Sequence, residues 1–348
     1  MVSGLNKPKH RIALVGFGTV ARGLCRILNE KQSELLTDYG FDFHIVAVTT
    51  RSRGTMYDPE GLSLSHLIKL SEKSEPFLEN RQDWDALAMI QNCNATIILE
   101  LGHTNLSTGE PAVSYCRAAL TSGKHVVCAN KGPATLAYRD LRSLAQASGK
   151  HFLNEATVLS GTPILSLARS ALAGIRITGL RGILNGTTNF ILSEMEAGKS
   201  YSESIAEAAA HGYLEADQAL DLEGFDARAK LSILARTMMD LEIELEDIHC
   251  QGISGLDHET VQAAAQQGFR WKLVASLEQH DQESVARVQL EKLSLRDPLA
   301  QVGGTTNALT LSTDLLGDIT ITGPGAGEIE TAYAVLSDLL TIHSEANA

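Results

Sequence analysis

A six-residue turn, Gly16-Phe17-Gly18-Thr19-Val20-Ala21, lies between an apolar run at 11–16 and a stretch at 20–28 whose apolar residues recur at helical spacing. It constrains the fold more than any other part of the chain. In the pattern G-x-G-x-x-G/A, Gly16 permits the tight turn, Gly18 lets the backbone approach a pyrophosphate, and small Ala21 lets the helix pack closely on the strand. Thr19 and Val20 sit in the first helical turn, where N–H groups face an anion. The pattern points to a parallel α/β sheet with a dinucleotide at its first crossover. A glycine turn that binds nothing is the alternative reading.

Further apolar runs follow at 43–49, 95–101 and 124–128, with a helix expected at 111–120, where Pro111 suits a first turn. The polar stretch 51–80 is expected to hold one short helix near 64–70. Strands without a polar face, separated by helices, belong to a parallel sheet covered on both sides. Residues 1–150 therefore read as a doubly wound α/β dinucleotide-binding domain. Beyond 151 the strands at 175–184, 268–278 and 284–293 lie closer together, as antiparallel neighbours do. Residues 151–322 read as a second, α+β domain for catalysis and dimerisation. An amphipathic helix at 326–340, within a third segment 323–348, is expected to return to the first domain.

The chain carries 42 acidic against 29 basic residues, a net charge of −13, and has no basic run. That balance argues against nucleic acid or an anionic membrane as a partner. The apolar stretch after the first basic residues is too short for a signal peptide or a membrane span. Five scattered cysteines form no C-x-x-C pair and no zinc spacing, which suits a reduced cytoplasm.

Candidate chemistry gathers in three places. After the second strand, where an NAD site usually carries an acid, stand Arg51 and Arg53; arginine suits a 2′-phosphate, so the residues favour NADP over NAD. Two solvated loop arginines are the other reading. Lys131 follows the strand at 124–128, at the sheet end where a nicotinamide would lie, as a candidate acid, base or substrate clamp. An acid-rich stretch from Glu215 through Asp221 to Asp226 runs into a helix bearing Lys230, four residues after Asp226 and hence on the same face. A surface ion pair is the bland reading of that spacing. Between these, the polar loop 182–190, containing Thr187, suits a small polar substrate or simple helix capping.

Taken in order, GFGTVA, ANKGPATLA, EATVLSGTPI, GILNGTTNFIL, GYLEADQALDLEGFDARAK and GPGAG resemble homoserine dehydrogenase over nearly the whole chain. The resemblance implies oxidation of L-homoserine, or reduction of L-aspartate 4-semialdehyde, on the route to threonine and methionine. It implies Lys230 as acid/base and Lys131 as a second active-site lysine. Glu215, Asp226 and Thr187 become substrate contacts, with Asp221 beside them, and Thr104 and Gly327 become cofactor contacts. It further implies a homodimer and a monovalent cation, usually sodium, at Glu155, Val158, Ser160 and Thr162; Ser160 and Thr162 replace the glycine and aliphatic residue commoner there. Longer relatives add a C-terminal regulatory module, so feedback control through one is not expected here. Two rivals stand beside this reading. An aspartate dehydrogenase-like enzyme would share the first domain but lack the acidic loop with Lys230, and a non-catalytic dinucleotide sensor would need neither lysine.

Overall fold

The computed structural model describes residues 9–346 other than 74, 215, 216, 281 and 282. The chain divides into two compact units, one formed by residues up to Thr157 together with those from Glu328 onward, the other by Val158–Gly327.

In the first unit the order is β1 (Lys9–Val15), α1 (Thr19–Asp38), β2 (Asp42–Thr50), β3 (Gly54–Tyr57), α2 (Leu64–Ser71), β4 (Arg81–Gln82), α3 (Ala86–Asn92), β5 (Ile97–Glu100), α4 (Ala112–Thr121), β6 (His125–Cys128), α5 (Lys131–Leu136), α6 (Tyr138–Ala147) and β7 (Phe152–Leu153). These strands form a seven-stranded sheet ordered β4-β3-β2-β1-β5-β6-β7. Pairing is parallel from β2 through β7. Successive residues of β1 explain why the run is apolar throughout: Ile12 and Leu14 join one core and Ala13 and Val15 the other, one on each face. β3 and β4 pair antiparallel at the edge, in the stretch where only a short helix was expected. Their strand character was hidden because Gly54–Tyr57 and Arg81–Gln82 are too short to show a period.

The second unit contains α7 (Ile164–Ser170), β8 (Ile177–Ile183), α8 (Gly186–Glu196), α9 (Tyr201–Ala210), α10 (Ala219–Leu222), α11 (Phe225–Met238), β9 (His249–Cys250), α12 (His258–Gln266), β10 (Phe269–His280), β11 (Glu283–Ser294), β12 (Thr306–Thr313) and β13 (Gly317–Pro324). Its sheet runs β13-β12-β8-β10-β11-β9, antiparallel except for the short β11/β9 pair. Fully buried Lys272 on β10 donates to Asn189 Oδ1 at 3.0 Å and so fixes α8 against the sheet. α13 (Glu328–Ala346) then lies on α1 in the first unit, where Glu328 accepts from both Arg22 and Arg26. Gly23 of α1 allows this approach, since a Cβ there would stand 2.6 Å from the Glu328 carbonyl oxygen. Among the described residues no helix is long and apolar enough to cross a membrane.

Candidate active site

The sheet of the first unit reverses its order of connection between β1 and β5, and in open α/β sheets the ligand lies outside the carboxyl ends of the strands at that reversal. Three turns meet there. Gly16 has φ +98°, donates to the Thr49 carbonyl at 2.9 Å, and would bring a Cβ to 2.6 Å from the Leu101 carbonyl oxygen. Gly18 begins α1 without a side-chain cap, and a Cβ built on it meets nothing within 4 Å. The first glycine is thus required by the protein's own packing, whereas the second leaves open space above uncapped N–H groups. That cradle suits a pyrophosphate. Thr19 and Val20 open the helix and Ala21 is fully buried beneath it.

Arg53 is not a solvated loop residue. Its Nε and Nη2 donate to the carbonyls of Glu75 and Leu70 at 2.8 and 2.9 Å, and the guanidinium lies 4.3 Å from the centre of the Phe77 ring. Only 8% of the residue is exposed, so it stitches the 51–80 segment together. Arg51, in the turn before it, is exposed.

At the far side of the reversal, Thr104 lies in the coil after β5 and Lys131 opens α5. Asn130 caps that helix, accepting from Gly132 N at 3.0 Å, while its amide donates to the His103 carbonyl at 3.1 Å and to Glu100 Oε1 at 3.2 Å. Glu100 is a buried carboxyl that the sequence reading did not single out. A charged residue closing an otherwise apolar strand was the available signal.

The second unit brings together Lys230, Asp226 and Asp221. Lys230 Nζ lies 2.7 Å from Asp226 Oδ2 and donates to the Leu184 carbonyl at 2.8 Å, with the residue 8% exposed. Asn185 links the acids: its amide donates to Asp221 Oδ1 at 2.7 Å and Asp226 Oδ2 at 3.1 Å, and its Oδ1 caps α8 by accepting from Thr188 N at 2.8 Å. The loop 182–190 therefore caps α8 and links the two acids. The pairing of Asp226 and Lys230 is a buried contact and not a solvated helix pair. Gly224, at φ +78°, starts α11 in the left-handed conformation that aims this helix, a geometry other residues adopt only under strain. Thr187, in the first turn of α8, donates to the Tyr213 carbonyl at 2.8 Å. Glu215 lies outside the described residues.

The segment 155–162 is almost wholly buried: Glu155, Val158, Ser160 and Thr162 are each at most 5% exposed. Glu155 N donates to Asp338 Oδ2 at 2.9 Å, and Thr162 Oγ1 donates to the Pro324 carbonyl at 3.2 Å. Leu159 and Ser160 have φ of 48° and 49°, so serine here adopts the conformation a glycine would supply. Among the described residues no three His, Cys, Asp or Glu side chains gather as metal ligands. Gly327, at φ +134°, ends the second unit.

Residues 16–155 match the family described as the homoserine dehydrogenase NAD-binding domain, and residues 163–340 match homoserine dehydrogenase itself. The chain belongs to the homoserine dehydrogenase family. It is 42% identical to the NAD(+)-dependent homoserine dehydrogenase of Pseudomonas canavaninivorans, with 97% of each chain covered. Against the homoserine dehydrogenase of Methanocaldococcus jannaschii it is 36% identical, covering 96% of this chain and 98% of the relative. A crystal structure titled putative homoserine dehydrogenase from Archaeoglobus fulgidus superposes with a TM-score of 0.86 at 35% identity, covering 96% of this chain and 99% of that one. As a homoserine dehydrogenase, the protein is an NAD(P)-dependent oxidoreductase acting on a CH–OH group, and it interconverts L-homoserine and L-aspartate 4-semialdehyde. The aspartate dehydrogenase and sensor readings fall with that assignment.

Proposed function

We propose that Lys230 is the acid/base of this reaction, in an enzyme that prefers NAD. The observation that carries the proposal is the buried Lys230–Asp226–Asn185–Asp221 cluster. A bound nicotinamide supplies the hydride acceptor in the oxidative direction. Lys230, once deprotonated, takes the hydroxyl proton of homoserine as hydride leaves the same carbon; in reverse its ammonium returns that proton to the aldehyde oxygen. Glu215, Asp221 and Asp226 supply negative charge for the substrate ammonium, Thr187 a hydroxyl, and Lys131 a cation for its carboxylate.

The pyrophosphate lies on the turn of Gly16, Gly18, Thr19 and Val20, with Thr104 and Gly327 as further cofactor contacts. Preference for NAD is supported by the commitment of Arg53 to carbonyl groups and by the NAD(+) dependence in the name of the 42% identical relative. It reverses the NADP preference drawn from the two arginines and leaves Arg51 as the one candidate for a 2′-phosphate. A sodium ion on the carboxylate of Glu155 and carbonyls of Val158, Ser160 and Thr162 is supported by the buried, left-handed turn there. We further propose a cytoplasmic homodimer feeding threonine and methionine synthesis, with the open edge of β13 as one place for a partner strand.

The test is reduction of NAD and of NADP followed by absorbance with L-homoserine, for the parent enzyme and for Lys230→Ala. Loss of a general acid/base is expected to lower kcat about 10²–10⁴-fold. Parental kcat in the variant would remove Lys230 from the scheme, and a higher kcat/KM with NADP would return the cofactor preference to Arg51.

A further inference from the structure

Glu100 is the last residue of β5, opposite Val15 on β1 and Cys128 on β6, and it is 1% exposed. Its Oε1 accepts from Gly102 N at 2.9 Å and from Asn130 Nδ2 at 3.2 Å. Through these two bonds one carboxyl oxygen shapes the loop that follows β5 and orients the residue that caps α5 and so precedes Lys131. Both loops are close-packed around it. A Cβ on Gly102 would lie 2.7 Å from Glu100 Oε1, and one on Gly132 would lie 2.9 Å from the Asn105 carbonyl oxygen. The same loop presents the Leu101 carbonyl that excludes any side chain at Gly16. The other oxygen, Oε2, is buried with no hydrogen-bond partner among the described residues.

Such an arrangement is expensive if structure is its whole purpose. An amide would make the same two accepted bonds without the cost of burying a charge. Burial pushes the Glu100 carboxyl up to about 7, against the opposing bonds from Asn130 and Gly102, so it changes charge in the neutral range. The titratable groups around it are the Tyr115 phenol and Cys116 thiol of α4 and the Cys128 thiol of β6, with His103 and Lys131 on the two loops it joins.

We propose that Glu100 is the positioning residue of the dinucleotide site, locking the loop after β5 to the start of α5, and that its ionised form biases the site towards oxidised over reduced nicotinamide. The charge argument is elementary. The oxidised ring carries a positive charge and the reduced ring does not, so a buried carboxylate at the strand end flanking the ligand crevice favours the former. The proposal rests on nicotinamide-dinucleotide binding by this unit, and the experiment separates the two.

Dissociation constants for NAD and NADH are measured by fluorescence titration between pH 6 and 8.5 on the full-length enzyme, for the parent, Glu100→Gln and Glu100→Ala. In the parent, the ratio of the NAD constant to the NADH constant is expected to fall several-fold as pH rises through about 7. Glu100→Gln keeps the accepted bonds and should bind both forms, with a ratio that no longer changes with pH. Glu100→Ala releases the loops, and both constants should rise at least about tenfold, which corresponds to about 1.4 kcal/mol. A parental pH profile in Glu100→Gln, or parental constants in Glu100→Ala, would overturn the assignment. If Glu100→Ala does not fold, the Gln profile alone decides. A parent that binds neither NAD nor NADH would instead refute dinucleotide binding itself.

Discussion

Replacing Asn185 by aspartate changes one NH2 group into an oxygen and leaves shape and capping intact, because aspartate caps a helix as well as asparagine does. The amide now donates to Asp221 at 2.7 Å and to Asp226 at 3.1 Å, in a setting where Asn185 and Asp221 are 5% and 4% exposed. Hydrogen bonds to charged groups are worth about 1.5–3 kcal/mol each, so losing both would cost about 3–6 kcal/mol before any repulsion is added. The new carboxyl can avoid part of that by retaining a proton, which lets it donate to one neighbour. Its proton affinity is thereby higher folded than unfolded. Below the unfolded carboxyl range of about 4 the variant and parent differ least. Above it the gap widens by up to about 1.4 kcal/mol per pH unit until the proton is lost from the folded state as well. Each unit holds one tryptophan, Trp84 in the first and Trp271 in the second, so in a Trp84→Phe background the fluorescence of Trp271 reports on the second unit alone. Urea unfolding at pH 5 and pH 8 is expected to show Asn185→Asp less stable than its parent at both, by about 2 kcal/mol more at the higher pH. A gap independent of pH, or none, would refute the account of Asn185 as the amide that reconciles two buried acids.

Two glycines two residues apart should respond oppositely. Gly16→Ala forces a side chain at φ +98° against the Leu101 carbonyl and is expected to lower the unfolding midpoint of the first unit, read from Trp84 fluorescence in a Trp271→Phe background. Gly18→Ala meets open space and should leave that midpoint unchanged while raising KM for NAD about tenfold or more. Equal effects of the two on stability would contradict their assigned roles. His10, whose Nε2 stands 2.9 Å from His343 Nδ1, is held down to about 4 by burial and by that neighbour. It is neutral when folded and takes a proton more readily when unfolded, so its contribution to stability is intact above about 6.5 and is lost as pH falls towards about 4. Stability measured against pH should therefore decline less steeply over that interval in His10→Gln than in the parent.

What the sequence revealed depended on how many residues shared one periodicity. The strands of the first sheet were readable because both faces are buried and every position is apolar, as the split of Ile12 and Leu14 from Ala13 and Val15 shows. β3 and β4 were not, being four and two residues long and specified by the pairing of β3 with β2 and of β4 with β3 at the sheet edge. The lysine and the acids of the second unit could be picked out from spacing, since Asp226 and Lys230 share one helix. Asn185 could not be given its linking role, because its partners Asp221 and Asp226 come from elements 36 and 41 residues away. The carbonyl partners of Arg53 were hidden for a related reason. A lone arginine after a strand looks like an anion ligand until the carbonyls of Leu70 and Glu75, supplied by a later segment, are seen to occupy it.

The first unit is interrupted by the whole of residues 158–327 before α13 completes it. Ala332, Val335, Leu336, Leu339 and Ile342 of that helix belong to the same core as Ile12, Leu14, Leu24 and Phe41. On the ribosome, the N-terminal sheet therefore emerges early but must wait, with the part of one apolar face that α13 covers left open, while the entire second unit is synthesised. Folding in order of synthesis favours the inserted unit finishing first, so the first to appear is the last to close. The interval between those events, set by the rate of translation and not by the chain's own speed, is one in which apolar surface that the finished fold buries stands open to solvent.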